Sequence, residues 1–351
     1  MKNCPKEVQA AILVEQNKPL ILDTIKLPEK LDVGQVLVEV DCSGICGSQL
    51  GEITGAKGED KYLPHLMGHE GCGVVLDVGD GVSKVGIGDK VVLHWRKGEG
   101  IQANTPKYKW GNKFVNAGWV TTFNTHSIVS ENRCTKVDNE IDSDLASLFG
   151  CAITTGFGVV ENNAKIRMGE SVVVFGAGGV GLNIIQACSL HSAYPIIAVD
   201  IFDNRLKLAK DLGATHVLNS KNCDVFNQIF KITNDKKVDV FIDNTGNTKI
   251  IESGYEILNN SGRLILVGVP RKGNNINIFS LPLHFGKVIT GSHGGETNPT
   301  EDIPRYINLF KENIASYKKL ITQRFKLNQI NDAIELMKNG YSAGRIIIDM
   351  S

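Results

Sequence analysis

A β-branched run followed at once by clustered glycines constrains this chain most: Val172-Val173-Val174-Phe175, then Gly176-Ala177-Gly178-Gly179-Val180-Gly181. Consecutive apolar residues of that kind predict a strand buried on both faces. The first glycine allows a tight turn, the second a close backbone approach, and the third close packing of the next helix on the strand. The following stretch, Val180 to Leu190, is apolar and helix-like, and a second strand, Pro195 to Val199, ends in Asp200. An acid about twenty residues past the glycines is where a ribose-binding carboxylate belongs. A plain tight turn could show the same six residues. The flanking strands and the acid favour a dinucleotide cradle, with phosphate on the free N–H groups of the helix start.

The rest of the chain divides around that unit. Up to about residue 150 it reads as short strands and turns: Gln9 to Glu15, Gln35 to Val40, Gly73 to Val78, Lys90 to Leu93 and Thr121 to Val129. From there, strands and helices alternate. The strands are Val172 to Phe175, Ile196 to Val199, His216 to Asn219, Asp239 to Ile242, Arg263 to Val267 and Val288 to Gly291. Strands with helical crossovers predict a doubly wound parallel sheet of Rossmann type. Two helical runs, Ile303 to Glu312 and Leu327 to Asn339, and a strand, Ile346 to Asp349, follow. They are expected to return to the first domain. The predicted division is 1–152 with 293–351, and 153–292, in an α/β chain.

Composition removes several classes of function. The 38 basic and 38 acidic residues balance, so neither nucleic acid nor a membrane surface is an expected partner. No apolar run is long enough to span a bilayer, and the N-terminal stretch lacks the apolar core of a signal peptide. The cysteines Cys4, Cys42, Cys46, Cys72, Cys134, Cys151, Cys188 and Cys223 are scattered rather than framed for disulfides. A reducing, cytoplasmic location is expected.

Three of the side chains carry metal-ligand chemistry. Gly44-Ile45-Cys46-Gly47-Ser48-Gln49, Gly68-His69-Glu70-Gly71 and Gly150-Cys151 together offer two thiolates and an imidazole. A Cys₂His set with a fourth place open is a catalytic zinc arrangement. Taken singly, Cys46 reads better as a small buried hydrophobe and His69 as a hydrogen-bonded core histidine. Spacing alone does not join residues so far apart.

Those segments, with Thr155-Gly156-Phe157-Gly158, the glycine cradle, Asp200 and Gly344-Arg345, resemble the zinc-dependent medium-chain alcohol dehydrogenases, closest to their class III-like branch. The likeness covers nearly the whole chain. It implies a GroES-like irregular β catalytic domain beside the Rossmann domain. It implies Cys46, His69 and Cys151 as ligands of one catalytic zinc, Glu70 as a carboxylate behind them or an occasional ligand, and Ser48 as the hydroxyl of the proton relay. Gly176, Gly178, Gly179, Val180, Gly181, Asp200, Arg205, Val269 and Arg345 would bind NAD, Arg345 through the pyrophosphate. Ser48 and Trp95 would line the substrate pocket. A homodimer or homotetramer, joined along the edge near Val288 to Gly291, is the family's habit.

Three departures qualify the resemblance. Gln49 stands where most members have Asp, and Gly51 where the relay usually continues to a histidine. The segment from His94 to Asn104 has none of the four cysteines that hold a second, structural zinc in many members. That lobe is expected to keep its shape by packing Trp95, Trp110, Phe114 and Trp119 and by hydrogen bonds, or to stay mobile. His94, Arg96 and Lys97 beside Trp95 suggest a polar or anionic substrate, although a solvated loop with one packing tryptophan is the plainer alternative. The function expected is an oxidoreductase: reversible hydride transfer between NAD and a primary or secondary alcohol, polyol or sugar-like, or its carbonyl product. The alternatives are S-(hydroxymethyl)glutathione (formaldehyde) dehydrogenase and a nucleotide-binding relative without catalysis, against which the retained ligand trio argues.

Overall fold

The computed structural model describes residues 4–312 and 315–351. Two compact units emerge, 1–152 with 298–351, and 153–297. The second crossing point lies five residues beyond the 292/293 expected from sequence. The turn Gly294–Glu296 explains the difference, since Gly295 comes so close to Gly158 that neither could carry a Cβ.

The first unit holds a closed barrel and a second sheet. Barrel order is Glu7–Leu13, Ile21–Lys26, Lys107–Trp110, Lys113–Asn116 and His65–Leu66. Inside it lie Val8, Ala10, Ile12, Ile25, Tyr108 and Val115. The sheet runs Cys134–Lys136, Lys90–His94, Glu70–Val78, Gln35–Gly44, Arg345–Asp349 and Ile321–Lys326, with His126–Ser130 also paired to Gln35–Gly44. Gln35–Gly44 is nearly all buried because strands flank it on both sides. The tail strand enters this sheet antiparallel, with Ile347 opposite Gly44.

Sequence predicts one strand over Thr121 to Val129, but the ladder begins only at His126. Upstream, Thr122 and Phe123 donate their N–H groups to Met67 O, so that stretch bends across the barrel end instead of extending a strand.

The lobe also differs from expectation. Phe114 is 58% and Trp119 42% exposed, so neither packs it. Tyr108 and Val115 fill the interior instead, and the Tyr108 hydroxyl accepts from Ile128 N. Period two decides this for Phe114, since alternate residues of a hairpin strand face out whatever their size, whereas Trp119 lies beyond the strand Lys113–Asn116. Trp110 Nε1 donates to Asp23 Oδ2 at 2.7 Å. The loop ahead of the hairpin is fastened by Glu131, a fully buried carboxylate. Its Oε1 accepts from Ser83 N (2.6 Å) and Lys84 N (2.8 Å), and its Oε2 from Ile101 N (2.6 Å).

The second unit is a six-stranded parallel sheet in the order His216–Asn219, Ile196–Asp200, Val172–Phe175, Val238–Asp243, Leu258–Leu266 and Val288–Gly291. In chain order that is 3-2-1-4-5-6, the doubly wound dinucleotide topology. Val172–Phe175 pairs on both sides and is buried throughout, as its unbroken apolar run predicts.

Candidate active site

Cys46 is the residue before the helix Gly47–Ile53. Gln49 sits in the first turn of that helix and closes a reciprocal cap: its Oε1 accepts from Cys46 N at 2.7 Å. This cap is what Gln49 does here, and it fixes the backbone that aims Cys46. His69 and Glu70 enter from the start of the strand Glu70–Val78, and Cys151 from the turn after the helix Ser143–Leu148. Gly150 must be glycine, because a Cβ there would lie 2.3 Å from Leu93 O and 2.6 Å from Glu70 Cα.

The ligand atoms of Cys46, His69 and Cys151 lie within 4.8 Å of one another, and the two sulfurs are 3.9 Å apart. Two sulfurs, each about 2.3 Å from one tetrahedral zinc, stand about 3.8 Å apart. The residues therefore fit the metal. The Cys151 thiol donating to Cys46 holds the Cys46 thiol well below its ordinary value, against the effect of burial, and the same bond pushes Cys151 up. Burial alone would lower His69, but the neighbouring Cys46 sulfur outweighs it and the net direction is up. One thiolate forms readily, and the second needs a cation.

Behind the ligands lies a buried pair. Glu70 Oε2 accepts from Ala152 N at 3.0 Å, and its Oε1 lies 3.5 Å from Arg345 Nη1. Burial raises the Glu70 carboxyl while Arg345 opposes it. Arg345 is 2% exposed and donates to Ile45 O at 2.9 Å, with Nη2 3.9 Å from Cys46 Sγ. The resemblance placed Arg345 on a pyrophosphate, yet within its own unit this guanidinium is the counter-charge of the ligand cluster. Only the fold could reveal that, since about three hundred residues separate the partners.

Ser48 is half-buried in the first turn after Cys46. Trp95, also half-buried, donates its backbone N–H to Gly150 O at 3.3 Å, next to the Cys151 ligand. His94 does not stand with the cations expected beside Trp95. It is 1% exposed, bonded through Nδ1 to Arg96 O and through Nε2 to Thr135 Oγ1, and burial pushes it down to about 4. It is a neutral core histidine.

In the second unit the cradle has the shape its glycines predict. Gly176 adopts φ +95°, and a Cβ on Gly181 would come within 2.0 Å of Gly176 O. A Cβ on Gly178 would meet nothing within 4 Å, so open space lies where a phosphate needs it. Asp200 Oδ2 accepts from Ala177 N at 2.8 Å, and Oδ1 from Ile201 N at 2.7 Å, which fixes the carboxylate at the strand end. Arg205 lies 3.8 Å from Asp200 and 4.8 Å from the Phe202 ring centroid. Val269 is 58% exposed beyond the strand Leu258–Leu266. These residues fit a dinucleotide.

Comparison with known proteins agrees. Residues 32–139 match the alcohol dehydrogenase GroES-like domain, and residues 179–312 the zinc-binding dehydrogenase domain. The chain is similar to S-(hydroxymethyl)glutathione dehydrogenase of Paracoccus denitrificans, 30% identical over 97% of this chain and 99% of that one. It is also similar to the class-3 alcohol dehydrogenase of Cereibacter sphaeroides, again 30% identical over 97% and 99%. Among solved structures, benzyl alcohol dehydrogenase of Acinetobacter calcoaceticus superposes with a TM-score of 0.88 at 29% identity, covering 99% of this chain and 100% of that one. With the ligand trio assembled and the cradle in place, the chain belongs to the zinc-dependent medium-chain alcohol dehydrogenase family, oxidoreductases acting on CH–OH donors with zinc and NAD as cofactors.

Proposed function

We propose that the enzyme oxidises a polar, polyol- or sugar-like alcohol, or reduces the matching carbonyl, and that an anionic group on the substrate is accepted. The observation that carries this is Arg133. It is 6% exposed, its guanidinium carbon lies 5.4 Å from the Trp119 ring centroid, its Nη1 donates to Asn132 O at 3.4 Å, and among the described residues it forms no ion pair with a carboxylate. A buried cation without a counter-ion is costly unless something negative or strongly polar answers it. Burial and the like charge of Arg96 both lower the affinity of Arg133 for its proton. Arg96 follows Trp95, which is bonded beside the Cys151 ligand. Relatives of similar identity carry names with quite different substrates, S-(hydroxymethyl)glutathione and benzyl alcohol, so neither substrate transfers. Steady-state assays with polyols, phosphorylated polyols, S-(hydroxymethyl)glutathione and benzyl alcohol test the reading. At least tenfold higher kcat/KM for a polyol or its phosphate is expected, and a preference for either of the other two would overturn it.

In this reading Cys46, His69 and Cys151 hold the zinc. When bound, zinc supplies Lewis acidity and NAD accepts hydride. Ser48 takes the hydroxyl proton and, because Gly51 offers no side chain, passes it to water. Glu70 and Arg345 balance charge behind the ligands. The cradle glycines and Val180 hold the pyrophosphate, with Asp200, Arg205 and Val269 around the rest of the cofactor. The free thiols, two of which must stay reduced to bind metal, suit the cytoplasm. Among the described residues no helix is long and apolar enough to cross a membrane.

NAD should be preferred to NADP by about a hundredfold in kcat/KM. Asp200 is pinned by backbone N–H groups and cannot swing aside for a 2′-phosphate, and unit charges about 4 Å apart repel by about 4 kcal/mol near a protein surface. Arg205 is drawn toward Asp200 and Phe202, so it is not a ready phosphate ligand. Equal efficiency with the two cofactors would refute this.

The partner we infer is a second copy of the chain, giving a dimer or, by further pairing, a tetramer. Val288–Gly291 is an edge strand, and Phe279, Leu281 and Phe285 nearby are 72%, 51% and 74% exposed. Bare strand edges and apolar patches of this kind call for cover. Light scattering should report at least a dimer, and Val288→Lys with Phe285→Glu should yield monomer. A monomeric unaltered chain would remove the proposal.

A further inference from the structure

Apart from the zinc ligands, one other set of ligand-type side chains converges among the described residues: Glu52, Asp60 and His65. Glu52 sits near the end of the helix Gly47–Ile53, Asp60 in the loop beyond it, and His65 at the start of the barrel strand His65–Leu66. Their ligand atoms all lie within 4.8 Å of one another.

The hydrogen bonds constrain the charge there. His65 Nδ1 is 2.9 Å from Leu66 O, which can only accept, so Nδ1 carries a hydrogen. His65 Nε2 is 2.8 Å from Asp60 Oδ2 and 4.0 Å from Glu52 Oε1. A neutral ring with its hydrogen on Nδ1 turns the Nε2 lone pair onto a carboxylate oxygen. Two lone pairs at that distance repel. A ring hydrogen shared with Asp60 relieves that repulsion, and so does a cation bound by both atoms. An imidazole whose far nitrogen donates to a carbonyl, and whose near nitrogen faces carboxylates, is arranged as a metal ligand is.

The pocket is also built to hold Asp60 in place. Tyr62 N donates to Asp60 Oδ1 at 2.8 Å, leaving Oδ2 directed at His65, and Asp60 N donates to Gln16 Oε1 at 3.3 Å. The side chains of His65 and Asp60 are 10% and 12% exposed while that of Glu52 is 43% exposed, so the set is walled on one side and open on the other. Burial would raise the Asp60 carboxyl, but the Tyr62 N–H and His65 outweigh it and hold it below its ordinary value.

We propose that Glu52, Asp60 and His65 form a second cation site, separate from the zinc ligands, that takes a divalent ion of the manganese-to-zinc series through one imidazole nitrogen and two carboxylates, with water completing the shell. Nitrogen and oxygen donors suit these ions, while the thiolate set favours zinc. The bound ion ties the loop after residue 53 to the helix that carries Ser48. The site does not depend on the substrate assigned above.

Manganese(II) is the probe, because its preference for oxygen and nitrogen donors keeps it from the thiolates. Zinc-loaded enzyme, freed of loose metal by gel filtration, is titrated with manganese while free ion is followed by electron paramagnetic resonance. One manganese per chain is expected, together with a rise in the thermal midpoint. His65→Gln and Asp60→Asn should each weaken binding at least tenfold, and Cys46→Ser should leave it unchanged. Near-ultraviolet circular dichroism checks that the variants are folded. Absence of saturable binding in the unaltered enzyme, or binding that persists in both folded variants, would overturn the proposal.

Discussion

Cys46→Ser and Cys151→Ser should each lose the tightly held zinc and lower kcat at least about a thousandfold, with the fold intact. The three ligand atoms form one closed set, so removal of a thiolate leaves two donors and no compensating side chain. Lewis-acid stabilisation amounts to several kcal/mol, and each 1.36 kcal/mol is about tenfold in rate. The second unit has its own core of Val173, Phe175, Ile197, Phe241 and Leu264, which does not touch the question. Elemental analysis after gel filtration should find one zinc in the unaltered chain and none in the variants. The lobe offers no second closed set: between Leu93 and Ala117 the strongest donor is His94, and both its nitrogens are engaged. A serine variant with stoichiometric zinc and normal turnover would show that the ligands were misassigned. Two zincs in the unaltered chain, the second surviving Cys46→Ser, would show a further tight set in or near the lobe.

Glu131→Ala should destabilise the first unit by about 3 kcal/mol. Three backbone N–H groups, from Ser83, Lys84 and Ile101, end on this buried carboxylate. Hydrogen bonds to a charged group contribute about 1.5–3 kcal/mol each, and donors left bare in the interior add their desolvation cost. Non-additivity and partial access of water bring the sum down to the stated value. Acid should act the same way. Burial pushes the Glu131 carboxyl up, but the N–H donors outweigh it and hold it below its ordinary 4.5. A depressed carboxyl contributes stability that is complete above that pH and is lost as pH falls through the folded value. Denaturant midpoints across pH 3 to 7 should therefore converge for the variant and the unaltered chain at the acid end. Equal stability at pH 7 would leave the lobe without its proposed anchor.

The parts of the fold that sequence made legible share a cause. Val172–Phe175 is legible to the residue because a continuous apolar run closed by glycine admits few other readings, while His216–Asn219 and Val288–Gly291 follow from the strand–helix alternation around it. The bend at Thr121–Thr125 was missed because its β-branched residues read as strand, while its partner, Met67, comes from a distant loop. Phe114 faces out because alternation along the hairpin strand, not size, governs its side, while Trp119 lies in the segment beyond that strand. Cys46, His69 and Cys151 could be joined beforehand only through resemblance. Arg345 behind Glu70, and Glu131 beneath the lobe, left no local signal, since each acts on groups brought near by folding.

The strand Arg345–Asp349 lies in a sheet otherwise begun by residues before 137, apart from its neighbour Ile321–Lys326. On the ribosome, residues 153–297 emerge as an unbroken stretch and can fold while the first sheet still lacks these strands. The guanidinium that faces Glu70 and Cys46 is translated about three hundred positions after Cys46. The thiols are made early, but their charge-balanced setting is finished late. A nascent chain that stops before Arg345 carries the ligand cysteines without the guanidinium that faces them in the finished sheet.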